Sequence, residues 1–168
     1  RYEYDVLKAE WKMTHLSHFP DELNRKTLDA LADVLATRSA GAEHNPFDLP
    51  EQSFGDIVED RQTQITFSAL GQQAPVDLKR TWDPDQAKRK KIKAHLDSLL
   101  PDADISMGGM TSIDILPKGQ NKATGLEGLL AAHSLAKENL AFVGDALFEG
   151  GNDYSVKLAG FDSFEVRN

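Results

Sequence analysis

Cysteine is absent from the 168 residues of this chain. Without cysteine there are no disulfides, no thiolate nucleophile and no cysteine-based zinc site, which fits a reducing compartment. Long apolar runs are absent as well, since no stretch approaches the roughly 18 apolar residues of a membrane-spanning helix. No signal-peptide pattern opens the chain. These absences predict a soluble, cytoplasmic protein without a membrane partner.

The chain also lacks an excess of basic residues, since 19 lysines and arginines stand against 27 acidic residues, for a net charge of −8. That balance argues against a nucleic-acid or anionic-membrane partner, so any phosphate-binding charge must be local. With 40% hydrophobic and 27% charged residues, the composition is that of an ordinary globular protein. The chain opens on RYEYDVLKAEWKM, without an initiator methionine and already in strand-like alternation. That opening is compatible with a further segment upstream.

The first part of the chain alternates apolar and polar residues, from Tyr2 to Tyr4 and again from Ala9 to Met13. This alternation predicts a hairpin. After Pro20, leucines at helical spacing predict an amphipathic helix that ends before Gly41. These leucines are Leu28, Leu31 and Leu35. The following segment EHNPFDLPEQSFG, with two prolines and a glycine, predicts a loop.

The middle of the chain predicts an antiparallel sheet with two helices on one face. From Ile57 to Leu70 the alternation indicates one strand, with Ile65 on its apolar face. Asp83 is predicted to cap a helix that starts at Pro84. The buried stripe of that helix is predicted to be Ile92, Leu96, Leu99 and Leu100. The segment DISMGGMTSIDILP then predicts strand again, with a bulge or tight turn at its two glycines.

Beyond Pro117 the pattern changes to helix, apolar strand, helix and strand, which is typical of parallel α/β architecture. The apolar run from Leu140 to Val143 predicts a central strand, and ligands bind beyond the carboxyl ends of such strands. Asp145, Asn152 and Asp153 follow this strand in FVGDALFEGGNDY. Mg²⁺ prefers a few carboxylates together with water and phosphate oxygens. These residues are therefore predicted metal ligands, with helix or turn caps as the alternative.

Lys118 and Lys122 lie just before or at the start of a predicted helix in PKGQNKATGLEGLL. A lysine in this position is unfavourable for the helix dipole, which favours negative charge at the amino end. It is well placed to neutralise a phosphate in the same crevice. The alternative is a pair of solvated loop lysines.

These segments resemble the last two signature motifs of the haloacid dehalogenase superfamily of phosphohydrolases. The third motif of that superfamily, a lysine near a helix start, is matched by Lys122 in GQNKATGL. The fourth, a strand that ends in aspartate before a Gly-Asn-Asp cluster, is matched by FVGDALFEGGND. The segments VEDR, SALGQ, GGMTSIDILPKG and GDALFEGGNDY resemble in order the phosphomannomutase-type branch, which has a large α/β cap (subfamily IIB).

The resemblance implies phosphoryl transfer through an aspartyl-phosphate, with Mg²⁺ and the catalytic Lys122 offsetting the charge. In the superfamily the nucleophile and the general acid lie in a D-x-D-x-[TV] motif at the end of an apolar strand. No apolar strand of this chain runs into such a motif. The D-x-D of Asp102 and Asp104 follows a helix-ending proline and is predicted to be a turn. The segment with the nucleophile is therefore expected to be missing from this chain.

The resemblance also implies a division of the chain and a fold class. Residues 1–18 would be a hairpin of the core, 19–117 the cap domain and 118–168 the carboxyl-terminal part of the core. The fold class is α/β, with a partial Rossmann-like core and an α+β cap of antiparallel sheet and two helices.

Ser112 and Asp114 are two apart in a predicted strand, so the hydroxyl and the carboxylate share one face. By resemblance this face binds a sugar phosphate, with Arg61 pairing with its distal phosphate or hydroxyls. The alternative for Arg61 is an ion pair with Glu59 or Asp60. Two further cap positions that are arginines in the mutases are occupied by Gln72 and Lys79, of which Lys79 is a predicted substrate-binding residue. The loss of bidentate arginine forks weakens the case for a mutase.

The sequence therefore predicts a Mg²⁺-dependent phosphatase of phosphorylated sugars, with this chain alone inactive. A phosphomannomutase is the alternative enzyme. A non-catalytic module that binds sugar phosphate or Mg²⁺ is the alternative if the chain is naturally this short. The expected partner is a small phosphorylated sugar, and the sequence carries no signal for an oligomeric state.

Overall fold

The computed structural model describes residues 2–13, 17–39 and 45–166. Its first element is an antiparallel hairpin of β1 (Tyr2–Asp5) and β2 (Glu10–Met13). The rings of Tyr4 and Trp11, opposite each other in this register, lie 5.3 Å apart. The predicted hairpin is thus observed, and the first helix ends before Gly41, as predicted. All of β2 is exposed.

The middle of the chain forms a four-stranded sheet in the order β3-β4-β6-β5, in which every neighbouring pair is antiparallel. The strands are β3 (Val58–Asp60), β4 (Ile65–Ser68), β5 (Ala103–Gly108) and β6 (Ser112–Pro117). Helices α1 (Asp21–Ala36) and α3 (Ala87–Leu99) contribute to the hydrophobic core on one side of this sheet. The antiparallel sheet with two packed helices is as predicted.

The buried face of α1 is not the one that the leucine spacing predicted. Leu31 is 1% exposed, but Leu28 is 42% exposed and Leu35 is half-buried. The buried residues of the helix are Leu23, Thr27, Ala30, Leu31 and Val34. The centre of this stripe is displaced by one residue, about 100° around the helix, and its apolar members pack with Ile65, Phe67 and Ile92 in one core.

The predicted single strand from Ile57 to Leu70 is wrong in its middle, where the chain turns between β3 and β4. The Asp60 carboxylate accepts the Gln62 backbone N–H at 2.8 Å, and the Arg61 N–H donates to the Gln64 carbonyl at 2.9 Å. Gln62 has a φ of +67°. The short polar side chains of this segment therefore favour a turn over a continuous ladder.

The helix predicted at Pro84 begins later, at Ala87. Asp83 still acts as a cap from a distance, because its carboxylate accepts the backbone N–H groups of Lys88 at 2.9 Å and Arg89 at 3.3 Å. Leu99, predicted in the buried stripe, is 45% exposed, and the buried residues of α3 are Arg89, Ile92 and Leu96. A short helix, α2 (Val76–Trp82), was not predicted, and it buries no residue.

The carboxyl-terminal part forms a second, smaller layer with α4 (Lys122–His133), β7 (Ala141–Gly144), α5 (Tyr154–Leu158) and β8 (Asp162–Glu165). Strands β7 and β8 are parallel, as predicted. Ala123 and Leu130 of α4, Val156 of α5 and Phe161 form a small apolar cluster, against which Phe142 of β7 packs. The prediction that β7 is a buried central strand is wrong within the described residues, where it pairs with β8 alone and Val143 is 59% exposed.

The division at residues 18 and 117 stays a prediction. None of the described helices combines the length and the apolar character that crossing a bilayer requires.

Candidate functional site

Asp153 lies at the end of the loop that follows β7, and its side chain is only 3% exposed. One carboxylate oxygen, Oδ2, accepts the Ala146 backbone N–H at 3.1 Å. The other, Oδ1, contacts the ammonium of Lys122. A buried carboxylate requires such partners, because an unpaired charge away from water is costly.

Lys122 is the first residue of α4, and its side chain is 46% exposed. Besides Asp153, the Nζ of Lys122 donates to the Asn152 Oδ1 at 3.2 Å. A cation at the amino end of a helix opposes the helix dipole, and the buried Asp153 offsets that cost. The structure thus brings Lys122 together with two of the three predicted metal ligands.

Asp145, the third predicted ligand, is exposed at the carboxyl end of β7. Within residues 2–13, 17–39 and 45–166, no three histidine or carboxylate side chains are grouped closely enough to hold a metal by themselves. Mg²⁺ usually takes only one or two carboxylates and keeps several waters. The oxygen donors of Asp145, Asn152 and Asp153 therefore fit Mg²⁺ chemically as part of a coordination sphere, although Lys122 shares the Asn152 and Asp153 oxygens.

Asp114 connects the antiparallel sheet to this loop. Its Oδ1 accepts the Thr66 hydroxyl at 2.9 Å and the Gln64 amide at 3.1 Å. Its Oδ2 accepts the Asn152 amide at 3.2 Å. Gln64 and Thr66 were not predicted as site residues, although the alternation along β4 had placed Thr66 on the polar face. Three hydrogen bonds therefore hold the Asp114 carboxylate in one orientation.

Backbone hydrogen bonds also join the antiparallel sheet to the loop after β7. The Met107 N–H donates to the Gly150 carbonyl at 2.8 Å, and the Asn152 N–H donates to the Met107 carbonyl at 3.0 Å. The loop after β7 therefore pairs with the edge of β5, in a parallel bridge between Met107 and Gly151. This pairing explains why Asn152 reaches Asp114 across the two layers.

Ser112 shares the face of Asp114, as predicted, because Ile113 between them is fully buried on the opposite face. Its hydroxyl lies 2.8 Å from the Ser68 hydroxyl, its neighbour in the register of β4 and β6. The Ser68 and Thr66 side chains are nearly buried, at 2% and 3% exposed. The face of the sheet opposite the hydrophobic core, here called the open face, therefore carries a continuous row of hydroxyl and carboxylate groups.

A cavity of about 370 Å³ lies between this sheet and the loop after β7. Three of the predicted site residues, Asp114, Lys122 and Asn152, line it. Asp104, Lys118 and Gln64 also line it. Its volume is in the range of small-molecule sites.

The other predicted substrate-binding residues lie outside this lining. Arg61 pairs with Glu59 at 2.7 Å, and the hydrogen bond that its guanidinium donates to Glu59 raises the pKa of Arg61, with a further contribution from the Asp114 charge. Lys79 donates to the Gln72 backbone carbonyl at 3.0 Å. The Gln72 Nε2 is buried without a hydrogen-bond partner among the described residues. Lys79 and Gln72 thus form a second polar group, apart from the cavity.

Comparison with known proteins gives a consistent result. Residues 44–160 match the family model described as eukaryotic phosphomannomutase. A phosphomannomutase of Encephalitozoon cuniculi is 31% identical over 114 residues, which cover 65% of this chain and 43% of that protein. A phosphomannomutase of Arabidopsis thaliana is 31% identical over 107 residues, which cover 61% of this chain and 42% of that protein. The chain thus spans less than half the length of these curated relatives.

Among solved structures, an amino-terminally truncated IMP-nucleotidase of Plasmodium falciparum with bound IMP superposes with a TM-score of 0.61 and 13% identity, covering 99% of this chain and 42% of that chain. A second structure of the truncated enzyme gives a TM-score of 0.55 at 15% identity, covering 88% of this chain and 35% of that chain. At this identity the likeness is one of fold. It confirms the predicted α/β class.

Proposed function

The chain belongs to the eukaryotic phosphomannomutase family, and we propose that it is part of a Mg²⁺-dependent phosphatase of phosphorylated sugars. Its motifs resemble those of the haloacid dehalogenase superfamily. One observation carries the proposal. Lys122, Asn152 and Asp114, which come from three separate elements, line a single cavity and are joined by hydrogen bonds. A cation, an amide and a carboxylate are thereby available together for a phosphate and a sugar hydroxyl.

In this proposal Lys122 neutralises the transferring phosphoryl group, whose charge is spread over its oxygens. Asp145, with Asn152 and Asp153, would hold Mg²⁺, which supplies further charge compensation when it is bound. An aspartate that this chain does not contain would attack the phosphorus, and a second aspartate of the same missing segment would give its proton to the departing sugar oxygen. Water, activated by loss of a proton to that second aspartate, would then hydrolyse the aspartyl-phosphate to inorganic phosphate and the free aspartate.

The sheet would bind the sugar. Asp114 and Ser112 offer a carboxylate and a hydroxyl on the open face, and hydrogen bonds to a charged acceptor are stronger than those between neutral groups. Arg61 and Lys79 would act on the distal part of the substrate. Because Asn152 already donates to Asp114, a sugar hydroxyl would share or replace this contact.

A phosphomannomutase is the second candidate, since the family relatives carry that name. A mutase must hold a phosphate at either end of its substrate, and arginine forks suit that task. Two positions that are arginines in the mutases are Gln72 and Lys79 in this chain. Lys79 donates its hydrogen bond to a backbone carbonyl. Glutamine carries no charge and lysine offers only a point charge. This composition supports a phosphatase over a mutase.

The test compares two rates on one sample of the protein supplied with its nucleophile-bearing segment. We expect inorganic phosphate to be released from hexose phosphates faster than the 1- and 6-phosphates are interconverted. Faster interconversion would establish the mutase. The chain by itself should release no phosphate above the buffer rate, and clear metal-dependent turnover by it would contradict the expectation that the nucleophile is missing from this chain.

A second experiment addresses the metal. Asp145→Asn keeps the shape of the side chain and removes its charge, so activity should collapse and the Mg²⁺ requirement should rise. Asp162→Asn, an exposed aspartate of β8, is the matched control and should leave both unchanged. Unchanged activity of Asp145→Asn at limiting Mg²⁺ would show that Asp145 is no ligand.

A further inference from the structure

Asp104 was predicted to be part of a turn, but the structure places it in β5 with its side chain 29% exposed. Its carboxylate faces the turn between β6 and α4. There the Oδ2 accepts the Gly119 backbone N–H at 3.0 Å and the Asn121 side-chain amide at 3.4 Å. The Oδ1 lies 3.5 Å from the Lys118 ammonium. One carboxylate thus contacts three of the four residues that lead to Lys122.

The bond to Asn121 has a chemical consequence, because the two ends of a side-chain amide are different. A carboxylate can only accept, so Asp104 binds the Nδ2 end of Asn121 and leaves the Oδ1 end for other donors. That Oδ1 accepts the Thr124 backbone N–H at 3.2 Å and caps α4. The Thr124 hydroxyl in turn accepts the Asn121 N–H at 3.0 Å. Asp104 therefore selects the amide orientation that starts the helix.

Lys122 follows directly on this cap as the first residue of α4. Its reach to Asn152 and Asp153 depends on where the helix starts. We propose that Asp104 is a positioning residue, which fixes the turn of Gly119 and Asn121 and thereby sets the place of the Lys122 ammonium. The effect of this role on catalysis rests on the proposed function, but the effect of Asp104 on the position of Lys122 does not.

The proposal makes a distinction between two substitutions of Asp104. In Asp104→Asn the amide oxygen can still accept from Gly119 and Asn121, so only the pairing with Lys118 is removed, and we expect little change. In Asp104→Ala both acceptors are gone, and Lys122 should become mobile. A third variant, Asn121→Ser, keeps an N-cap oxygen but removes the donor to Asp104, so it should also mobilise Lys122, and it serves if Asp104→Ala does not fold.

The first measurement is the ¹³Cε relaxation of Lys122 at fixed pH, in the chain without substrate. Lys137 is the internal control, because it is held separately by the Ala159 carbonyl at 2.6 Å and lies 4.7 Å from the Phe161 ring centre. We expect Lys122 to approach the mobility of the exposed Lys157 in Asp104→Ala while Lys137 stays unchanged. Equal loosening of both lysines, or no change at Lys122, would overturn the proposal.

The second measurement is turnover of a hexose phosphate by the protein with its nucleophile. Misplacing a catalytic group by about 1 Å can cost up to a hundredfold in rate, so Asp104→Ala should lower kcat by about tenfold or more, with little change in KM. Asp104→Asn should restore most of the rate. If Asp104→Asn loses as much activity as Asp104→Ala, the ion pair between Asp104 and Lys118 is the relevant contact and the positioning role is wrong. If no activity is found at all, the proposed function fails, while the relaxation result still decides the placement.

Discussion

Replacing Arg89 by methionine is expected to destabilise the four-stranded sheet and its helices severely. Arg89 and Asp83 form an ion pair whose side chains are 4% and 0% exposed, with 2.8 Å between Nε and Oδ2. The Arg89 Nη1 also donates to the Gly109 carbonyl at 2.7 Å, in the turn between β5 and β6. The pair therefore connects the start of α3 to the far end of the sheet.

The magnitude follows from what methionine would leave behind. The Asp83 carboxylate would keep its bonds to the Lys88 and Arg89 N–H groups but would lose its only buried cation among the described residues. Removing one partner of a buried pair typically costs about 3–5 kcal/mol. Changing Asp83 to asparagine in the same protein removes the stranded charge and keeps an acceptor for α3. The double variant should therefore be more stable than Arg89→Met alone.

Urea unfolding followed by circular dichroism measures the effect. With a slope of about 1.5–2 kcal/mol per molar urea, the midpoint should fall by roughly 1.5–3 M. The control is Lys93→Met, which removes the partly exposed pair with Asp97 on the same helix and should change stability by no more than about 0.5 kcal/mol. A loss of less than about 1 kcal/mol in Arg89→Met would refute the reasoning.

Two further predictions concern the site. Gly108→Ala would place a Cβ 2.5 Å from the Asp114 Oδ2 and 3.3 Å from the Asn152 Nδ2, so the hydrogen bond between Asp114 and Asn152 should break. The break should change the side-chain amide resonance of Asn152, whereas the control Gly128→Ala, with open space around it, should leave that resonance in place. Lys122→Met leaves the nearly buried Asp153 carboxylate with the Ala146 N–H as a hydrogen-bond donor. The free energy of unfolding, measured in thermal or urea melts, should therefore fall by about 1–3 kcal/mol. An unchanged midpoint would show that water replaces the ammonium at no cost.

Local patterns predicted the order of the elements and the strand direction in the carboxyl-terminal layer, but not the exposure of β7. The alternation of helix and apolar strand gave the parallel pairing of β7 and β8. The rule that ligands bind at the carboxyl ends of strands placed Asn152 and Asp153 near Lys122, as observed. Such patterns succeed when the determining contacts are those of a regular element with its neighbour.

The patterns failed where a single side chain determines the backbone conformation of a turn or the start of a helix. The turn at Asp60 to Gln64 depends on one carboxylate that binds an N–H two residues away, and the delayed start of α3 depends on Asp83. Neither bond alters the apolar periodicity on which the strand and helix predictions were based.

Other contacts join residues that are distant in the sequence. Asp114 meets Gln64, Thr66 and Asn152 across 50, 48 and 38 positions. Asp104 contacts Gly119 and Asn121, which lie 15 and 17 positions further along the chain. The contacts of Asp114 and those of Asp104 depend on the register of the antiparallel sheet, which no local pattern specifies. Gln64 and Asp104 were therefore not predicted as site residues.

In the proposed function, Lys122 and Asn152 on one side and Asp114 on the other form one phosphosugar site. Titrating the ¹⁵N-labelled chain with a hexose 6-phosphate in the presence of Mg²⁺ tests this arrangement most directly. We expect saturable shifts of the Lys122, Asn152 and Asp114 amides, together with the Asn152 side-chain amide, and none in the exposed strand β2. Shifts confined to other parts of the chain, or no shift at millimolar ligand, would contradict the claim.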